Sequence, residues 1–185
     1  MRLLKIVLLA LVALSAAGYG ATFFLPTAFE VERSIYLQHS PEEVYRYLNN
    51  PTEWPNWSAV NKQTDPTVIH LYGGSFEGKG ARLQWSGDKL GNGQVVLTES
   101  INPSSITYLQ SLQDVADSVQ GFFTIAPERG GTQLVWKQKT VVAATPLAKL
   151  QGVLLKYKME QEQDMGLLGL KTLLENQPKK RASKV

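Results

Sequence analysis

The chain begins with a nearly unbroken run of apolar residues, and a mixed pattern of helices and strands follows it. Residues 6–25 carry no charge, and only Ser15, Tyr19 and Thr22 add hydroxyl groups. With a rise of about 1.5 Å per residue, a helix of this length crosses the roughly 30 Å hydrocarbon core of a bilayer. The run therefore predicts a transmembrane anchor over residues 1–27.

A cleaved signal peptide is the alternative, because Arg2 and Lys5 form a basic start and small residues follow the apolar stretch. Apolarity continues past those small residues as far as Leu25, which a signal peptide does not require, so a retained anchor is favoured. The basic residues precede the run, whereas Glu30 and Glu32 follow it. The positive-inside rule then predicts a cytoplasmic N-terminus and a domain on the extracytoplasmic (periplasmic) side. Cleavage would instead give a secreted or periplasmic protein.

Alternation of apolar and polar residues over 29–37 predicts a half-buried strand. Ser40, Pro41 and Glu43 then supply a cap, a first helical residue and a capping box, which predicts a short helix. Six further alternating segments predict strands over residues 67–72, 81–85, 94–101, 104–112, 118–126 and 132–142. Short turn-forming segments separate them, so the pattern indicates an antiparallel meander.

A long helix is predicted to start at Thr145 and Pro146 and to run to about Asn176. It is the only element long enough to cover the apolar face of such a sheet. Gly166 and Gly169 interrupt it and indicate either close packing or a bend. The predicted inward stripe contains Leu147, Leu150, Leu154, Tyr157, Met165, Leu168 and Leu173.

Composition indicates one folded domain after the anchor, over residues 28–177, since 43% of the chain is hydrophobic and 19% is charged. The absence of cysteine excludes disulfides, thiolate catalysis and cysteine-based zinc sites. The net charge is only +3, and part of it lies in a basic, predicted disordered tail at residues 178–185. No basic motif for nucleic acid is present, so no nucleic-acid partner is expected.

Several short segments carry a resemblance to a known fold family. They are residues 25–26 with 29–35, 40–45, 54–57, 83–87 with 91–93, 98–100 with 106–108, 131–136 and 169–175. With the element order, they resemble the START-like helix-grip superfamily (SRPBCC), and within it the membrane-anchored, polyketide cyclase/dehydrase-like branch. One departure is His39, where that branch usually has a small apolar residue.

The resemblance implies an α+β helix-grip fold, in which a seven-stranded antiparallel sheet wraps around a long C-terminal helix and leaves an apolar cavity. Members of the superfamily hold lipids, sterols, quinones or polyketides there, and some catalyse cyclisation or dehydration. The matching segments are signatures of the fold, and none is a catalytic motif. The expected cavity walls are Trp57, Trp85, Tyr108, Phe123, Trp136, Leu154 and Tyr157.

Two residues are weak candidates for catalysis, and no residue is assigned a catalytic role. Glu99 lies on a predicted strand, where burial in a cavity would raise its pKa, but a solvent-facing glutamate is favoured. His70 lies in mid-strand without an acidic partner at a telling spacing, so a structural role is favoured. We expect no metal and no cofactor.

Three functions stay open at this point. The first is a membrane-tethered binding protein that holds a hydrophobic small molecule, such as a lipid, isoprenoid or polyketide, between the sheet and the last helix. The second is a cyclase or dehydratase that uses Glu99 or His70. The third is an envelope interaction protein whose cavity is filled by its own side chains. The ligand, the pathway and the oligomeric state are not specified by the sequence.

Overall fold

The computed structural model describes residues 2–113 and 118–176, and its elements follow the predicted order. Helix α1 (Arg2–Thr22) precedes strand β1 (Ala28–Leu37), helix α2 (Pro41–Asn49) and a 3₁₀ helix (Pro51–Asn56). The remaining elements are β2 (Ile69–Gly73), β3 (Arg82–Gly87), β4 (Gly91–Ile101), β5 (Ser105–Leu112), β6 (Val119–Glu128), β7 (Gly131–Val141) and α3 (Pro146–Glu175). The predicted tail, residues 178–185, lies outside the described residues.

The seven strands form one antiparallel sheet in the order β1-β7-β6-β5-β4-β3-β2. Strands β2 to β7 form the predicted meander, and β1 closes the other edge by pairing with β7. Ala28 lies opposite Val141, and Leu37 lies opposite Thr132. This sheet and the long C-terminal helix confirm the predicted α+β helix-grip fold.

Helix α2 starts as its sequence indicates. Ser40 Oγ accepts a hydrogen bond from the Glu43 backbone N–H, and the Glu43 carboxylate accepts one from the Ser40 N–H, both at 3.3 Å. The 3₁₀ helix is held against α2 because Trp54 Nε1 donates to Leu48 O at 2.9 Å. The main core lies between these two short helices, the concave face of the sheet and the C-terminal half of α3.

The predicted inward stripe of α3 is wrong for six of its seven residues, whereas the seventh, Leu173, is half-buried and packs against the main core. Leu147, Leu150, Leu154, Tyr157, Met165 and Leu168 are all exposed. The buried residues of this helix are instead Gly152, Leu155, Met159, Gln163, Gly166, Leu167, Leu170 and Leu174. At about 100° per residue the two sets lie on opposite faces of the helix. Helix α3 thus has two apolar faces, and only one of them packs on the domain.

Three glycines of α3 lie where its backbone comes closest to the rest of the domain. A Cβ added to Gly152 would lie 2.2 Å from Phe29 Cε2, and one added to Gly166 would lie 2.6 Å from Trp136 Cζ3. A Cβ added to Gly169 would lie 2.2 Å from Trp57 O. These approaches confirm that Gly166 and Gly169 permit close packing. The three glycines mark the face on which the backbone of α3 approaches its neighbours.

Helix α1 extends from the domain, and its large apolar side chains are exposed. The segment Leu3–Thr22 is long and apolar enough to span a membrane, although a signal sequence near an N-terminus has the same properties. The end of α1 contacts the start of α3, where Lys149 Nζ donates to Phe23 O at 3.1 Å. The first turn of α3 therefore lies beside the point at which α1 ends.

Candidate functional site

The predicted cavity walls on the sheet and the 3₁₀ segment are buried, but four of them pack against one another. Trp57, Tyr108, Phe123 and Trp136 form a continuous aromatic cluster together with Trp54. Ring centroids are 5.0 Å apart for Phe123 and Trp136, 5.5 Å for Tyr108 and Phe123, and 5.9 Å for Trp57 and Trp136. The cluster occupies the space in which the sequence prediction placed a ligand.

Of the other three predicted wall residues, one is buried and two are exposed. Trp85 is buried, and its ring covers Gly93, where an added Cβ would lie 2.3 Å from Trp85 Cζ2. Leu154 and Tyr157 are 64% and 59% exposed, respectively. They belong to the face of α3 opposite its buried face, so the prediction that they line an interior cavity is wrong.

A polar network lies under the middle of α3. Tyr108 OH accepts hydrogen bonds from Trp136 Nε1 at 2.8 Å and from Gln138 Nε2 at 3.1 Å. Gln110 Nε2 donates to Glu162 Oε1 at 3.3 Å, and Gln138 Nε2 lies 3.4 Å from Glu162 Oε2. The network separates the main core from a smaller apolar cluster of Val31, Val119, Leu155 and Met159.

Glu162 is the carboxyl group of this network, and it is half-buried. Burial raises its pKa, while the hydrogen bonds that Gln138 and Gln110 donate act in the opposite direction. Burial also raises the pKa of Tyr108 well above its ordinary value, and the nearby Glu162 carboxyl adds to that shift. Within the described residues, the buried Gln163 Oε1 has no hydrogen-bond partner.

Sequence reasoning missed this network, although a signal was available. Gln110 and Gln138 continue the inward-facing alternation of β5 and β7, in register with Tyr108 and Trp136 two residues earlier. A polar residue at an inward position needs a partner, because an unpaired buried amide is costly. That partner, Glu162, comes from α3, and the prediction had turned the opposite face of this helix inward.

The two candidates for catalysis do not enter the interior. Glu99 is exposed on β4, just after a bulge in the ladder with β5. His70 is half-buried, and its Nε2 lies 3.1 Å from Val60 O. Because a carbonyl oxygen only accepts hydrogen bonds, Nε2 carries the proton. This hydrogen bond connects β2 to the loop that precedes it, which contains Val60. The favoured structural interpretations agree with these positions, and the cyclase alternative gains no support from either side chain.

An open cleft of about 510 Å³ lies between the C-terminal half of α3 and the segment after the 3₁₀ helix. Its apolar surface comes from Trp57, Ala59 and three α3 residues, Met165, Leu168 and Leu173. Polar residues complete its lining: Asn56, Ser58, Asn61, Gln63, Thr64, Thr172 and Asn176. The volume is within the range of about 300–1,000 Å³ that is usual for small-molecule sites.

Local hydrogen bonds shape the loop wall of the cleft. Asn61 Oδ1 accepts hydrogen bonds from the backbone N–H groups of Gln63 and Thr64, both at 2.8 Å, and Asn61 Nδ2 donates to Ser58 O at 2.7 Å. On the helix side, Gly169 allows α3 to approach the Trp57 carbonyl. The cleft therefore has one wall on a helix and one wall on a braced loop.

A buried carboxylate holds the far end of that loop. Asp65 accepts hydrogen bonds from Thr67 Oγ1 at 2.7 Å and from the backbone N–H groups of Lys89 and Leu90 at 2.7 and 3.1 Å. The Thr67 hydroxyl, together with these backbone donors, holds the pKa of Asp65 well below its usual range. Asp65 thus links the loop to the turn between β3 and β4.

Across residues 2–113 and 118–176, no group of three histidine, cysteine, aspartate or glutamate side chains is arranged to hold a metal ion.

Similar solved structures share the fold at low identity. Protein CV1439 from Chromobacterium violaceum is 18% identical, with a TM-score of 0.58 over 82% of this chain and 99% of that chain. A protein of unknown function, SA2116 from Staphylococcus aureus, is 13% identical, with a TM-score of 0.60 over 80% and 94%. The di-domain ARO/CYC protein BexL is 15% identical, with a TM-score of 0.59 over 82% of this chain and 52% of that chain.

No curated protein sequence matches the chain. A family model described as "Polyketide cyclase / dehydrase and lipid transport" matches residues 28–175, which is the whole sheet and α3. This match agrees with the SRPBCC resemblance carried by the sequence segments. The chain therefore belongs to the polyketide cyclase / dehydrase and lipid transport family.

Proposed function

We propose that this chain is a membrane-tethered binding protein for a hydrophobic small molecule, such as a lipid, isoprenoid or polyketide-like compound. The observation that carries the proposal is the cleft between α3 and the loop after the 3₁₀ helix. The predicted location between sheet and helix is occupied by the aromatic cluster. The ligand is therefore assigned to the cleft.

The chemistry of the cleft suits an apolar molecule with one polar end. Met165, Leu168 and Leu173 offer an apolar wall, while Asn61 and Asn176 add amide groups at its edge. Apolar walls supply affinity through burial, and a few polar groups fix orientation. The family description, which includes lipid transport, agrees with this class of ligand.

A tether is consistent with such a ligand. The apolar helix Leu3–Thr22 would hold the cleft within nanometres of a bilayer, so that a poorly soluble molecule need not cross bulk water. We place the N-terminus in the cytoplasm and the domain on the extracytoplasmic side, because Arg2 and Lys5 precede the span.

Binding of cis-parinaric acid, a fluorescent fatty acid, tests the proposal on the full chain in phosphatidylcholine nanodiscs. We expect the Leu168→Glu variant to lose the binding signal, because a charge on the apolar wall disfavours an apolar ligand. Leu154→Glu is the matched control, because Leu154 is as exposed as Leu168 and lies on the same helix face outside the cleft.

The comparison separates cleft binding from general surface effects. Equal binding by the wild type and both variants, after subtraction of empty nanodiscs, would exclude the cleft as the site. Native mass spectrometry of protein extracted in mild detergent provides a second measurement. We expect a co-extracted small molecule on the wild type and on Leu154→Glu, and none on Leu168→Glu.

A second candidate is the envelope interaction protein. This candidate requires an interior filled by the protein's own side chains and an exposed apolar surface. The aromatic cluster provides the first, and the exposed apolar residues of α3 provide the second. Crosslinking at Tyr157, which is exposed midway along the stripe, would recover a membrane protein partner if this candidate is correct.

A further inference from the structure

The end of β7, the connection to α3 and the start of α3 form an exposed, largely apolar corner of the domain, residues 141–150, in which Lys149 is the one charged residue. No charged residue occurs from 140 to 148. Val141 and Leu147 are 66% and 67% exposed, and Leu150, Ala143 and Ala144 are also exposed. Elsewhere β7 carries charged side chains on its outer face, where Lys137 bonds to glutamates of β1. The corner therefore differs in chemistry from the strand that leads into it.

The corner lies directly beside the chain that leaves α1. Lys149 Nζ donates to Phe23 O at 3.1 Å, and the Val142 N–H donates to Thr27 O at 2.8 Å. Five residues separate the end of α1 from β1, a reach of at most about 17 Å when fully extended. The corner therefore lies next to the end of α1 in space.

The residues that leave α1 extend the same apolar surface. Phe24 is 92% exposed and Phe23 is largely exposed. Tyr19 stacks edge-on against Phe23, with ring centroids 5.6 Å apart. A tyrosine in the last turn of an apolar helix, as Tyr19 is in α1, is typical of the boundary between membrane and water. This aromatic end and the corner lie next to each other on one side of the domain.

We infer that the corner, residues 141–150, docks into the interfacial layer of the lipid bilayer that α1 crosses, and so fixes how the domain stands on the membrane. The inference rests on the proposed tether. Lipid is the occupant because the hydrogen bonds to Phe23 and Thr27 hold the corner at the point where α1 would leave the bilayer. The exposed apolar side chains then face lipid rather than water. The domain is then attached to the membrane at two points, covalently through α1 and non-covalently through the corner. Two attachments restrict its orientation relative to the bilayer, which a single flexible linker would not.

The absence of cysteine allows a clean labelling test on the full chain. Single variants Ala144→Cys in the corner, Ala10→Cys in α1 and Ala126→Cys near the far end of β6 are labelled with an environment-sensitive fluorophore. The protein is reconstituted in phosphatidylcholine vesicles that contain nitroxide-labelled phosphatidylcholine as the quencher. We expect quenching at Ala144→Cys and Ala10→Cys, and none at Ala126→Cys.

The two reference positions separate the docking from the tether. Quenching at Ala10→Cys without quenching at Ala144→Cys would overturn the docking and leave the tether intact. Absence of quenching at both positions would overturn the tether, and the docking with it. A label at Ala144→Cys that is shielded from water but not quenched, with energy transfer between copies, would assign the corner to a second chain and overturn lipid docking.

Charge at the corner gives the complementary test. Leu147→Glu combined with Leu150→Glu is expected to abolish quenching at Ala144→Cys, because carboxylates disfavour the interfacial layer. Quenching at Ala10→Cys should stay unchanged. Leu71→Glu, an exposed leucine on the opposite edge strand β2, is the matched control and should change neither signal. Quenching at Ala144→Cys that survives the double substitution would contradict docking through these side chains.

Discussion

Gly166 lies where α3 crosses the ring of Trp136, and its replacement by alanine tests how this helix packs. An added Cβ would lie 2.6 Å from Trp136 Cζ3 and 3.2 Å from Cη2. The ring cannot move aside easily, because it is fully buried and its Nε1 is bonded to Tyr108 OH. The new methyl group therefore has no space to occupy.

Two opposing effects determine the result for Gly166→Ala. Alanine is the better helix former by about 1 kcal/mol. Overpacking of a filled core costs roughly 1–3 kcal/mol, and we expect about 2–3 kcal/mol here because the new Cβ would lie only 2.6 Å from a ring atom. We expect a net destabilisation of about 1–2 kcal/mol, which lowers Tm by roughly 2–8 °C for a chain of this size.

Thermal unfolding of the full chain in detergent micelles, followed by near-ultraviolet circular dichroism, measures this change. Lys158→Ala on the exposed side of α3 is the control, with an expected change within about 0.5 kcal/mol. A rise in Tm for Gly166→Ala would refute the reasoning, since that is the result for a glycine on an open helix face. Trp136→Phe should cost less stability in the Gly166→Ala background than alone, and additive costs would also contradict the contact.

Three further predictions concern buried polar groups, each measured by thermal unfolding of the full chain in detergent micelles. Because burial raises the pKa of Glu162 in the folded state, its contribution to stability is present below the ordinary glutamate pKa and is lost as pH rises through the folded value. Glu162→Gln should therefore flatten the fall of Tm as pH rises above the ordinary glutamate pKa, and an unchanged slope would contradict it. Tyr108→Phe removes the acceptor of Trp136 Nε1 and Gln138 Nε2, so we expect a loss of about 1–3 kcal/mol, whereas an unaltered Tm would indicate that these donors find other partners. The lowered pKa of Asp65 gives stability that is present above the ordinary aspartate pKa and is lost as pH falls below it, so Asp65→Asn should lower Tm at neutral pH and weaken the acid dependence; equal acid dependence would count against this role.

Most of the fold was predictable because local rules and global packing agree along most of the chain. The capping box at Ser40 and Glu43 forms in the structure. Each predicted strand is present in the observed sheet, with shifts of a few residues at its ends. Period-two alternation places alternate side chains on one face whatever the sheet packs against, so these elements needed no tertiary information.

The candidate site was predicted less well, and α3 explains why. This helix has two apolar faces, so the periodicity of its sequence does not indicate which of them is buried. The choice depended on shape: Gly152, Gly166 and Gly169 bring the backbone close to Phe29, Trp136 and Trp57. With the other face inward, Leu154 and Tyr157 became expected cavity walls, and the cleft at Met165 and Leu168 was missed.

The sequence by itself determined an apolar N-terminal helix, a strand order that yields one antiparallel sheet, and membership of a recognisable family. These follow from composition and short-range periodicity, which are properties of neighbouring residues. Only the tertiary structure decided that aromatic rings fill the space beneath α3, that a cleft opens beside its end, and that the corner after β7 adjoins α1. Each of these depends on residues far apart in the chain that fill or leave space together, and such contacts are fixed by packing rather than by any local pattern.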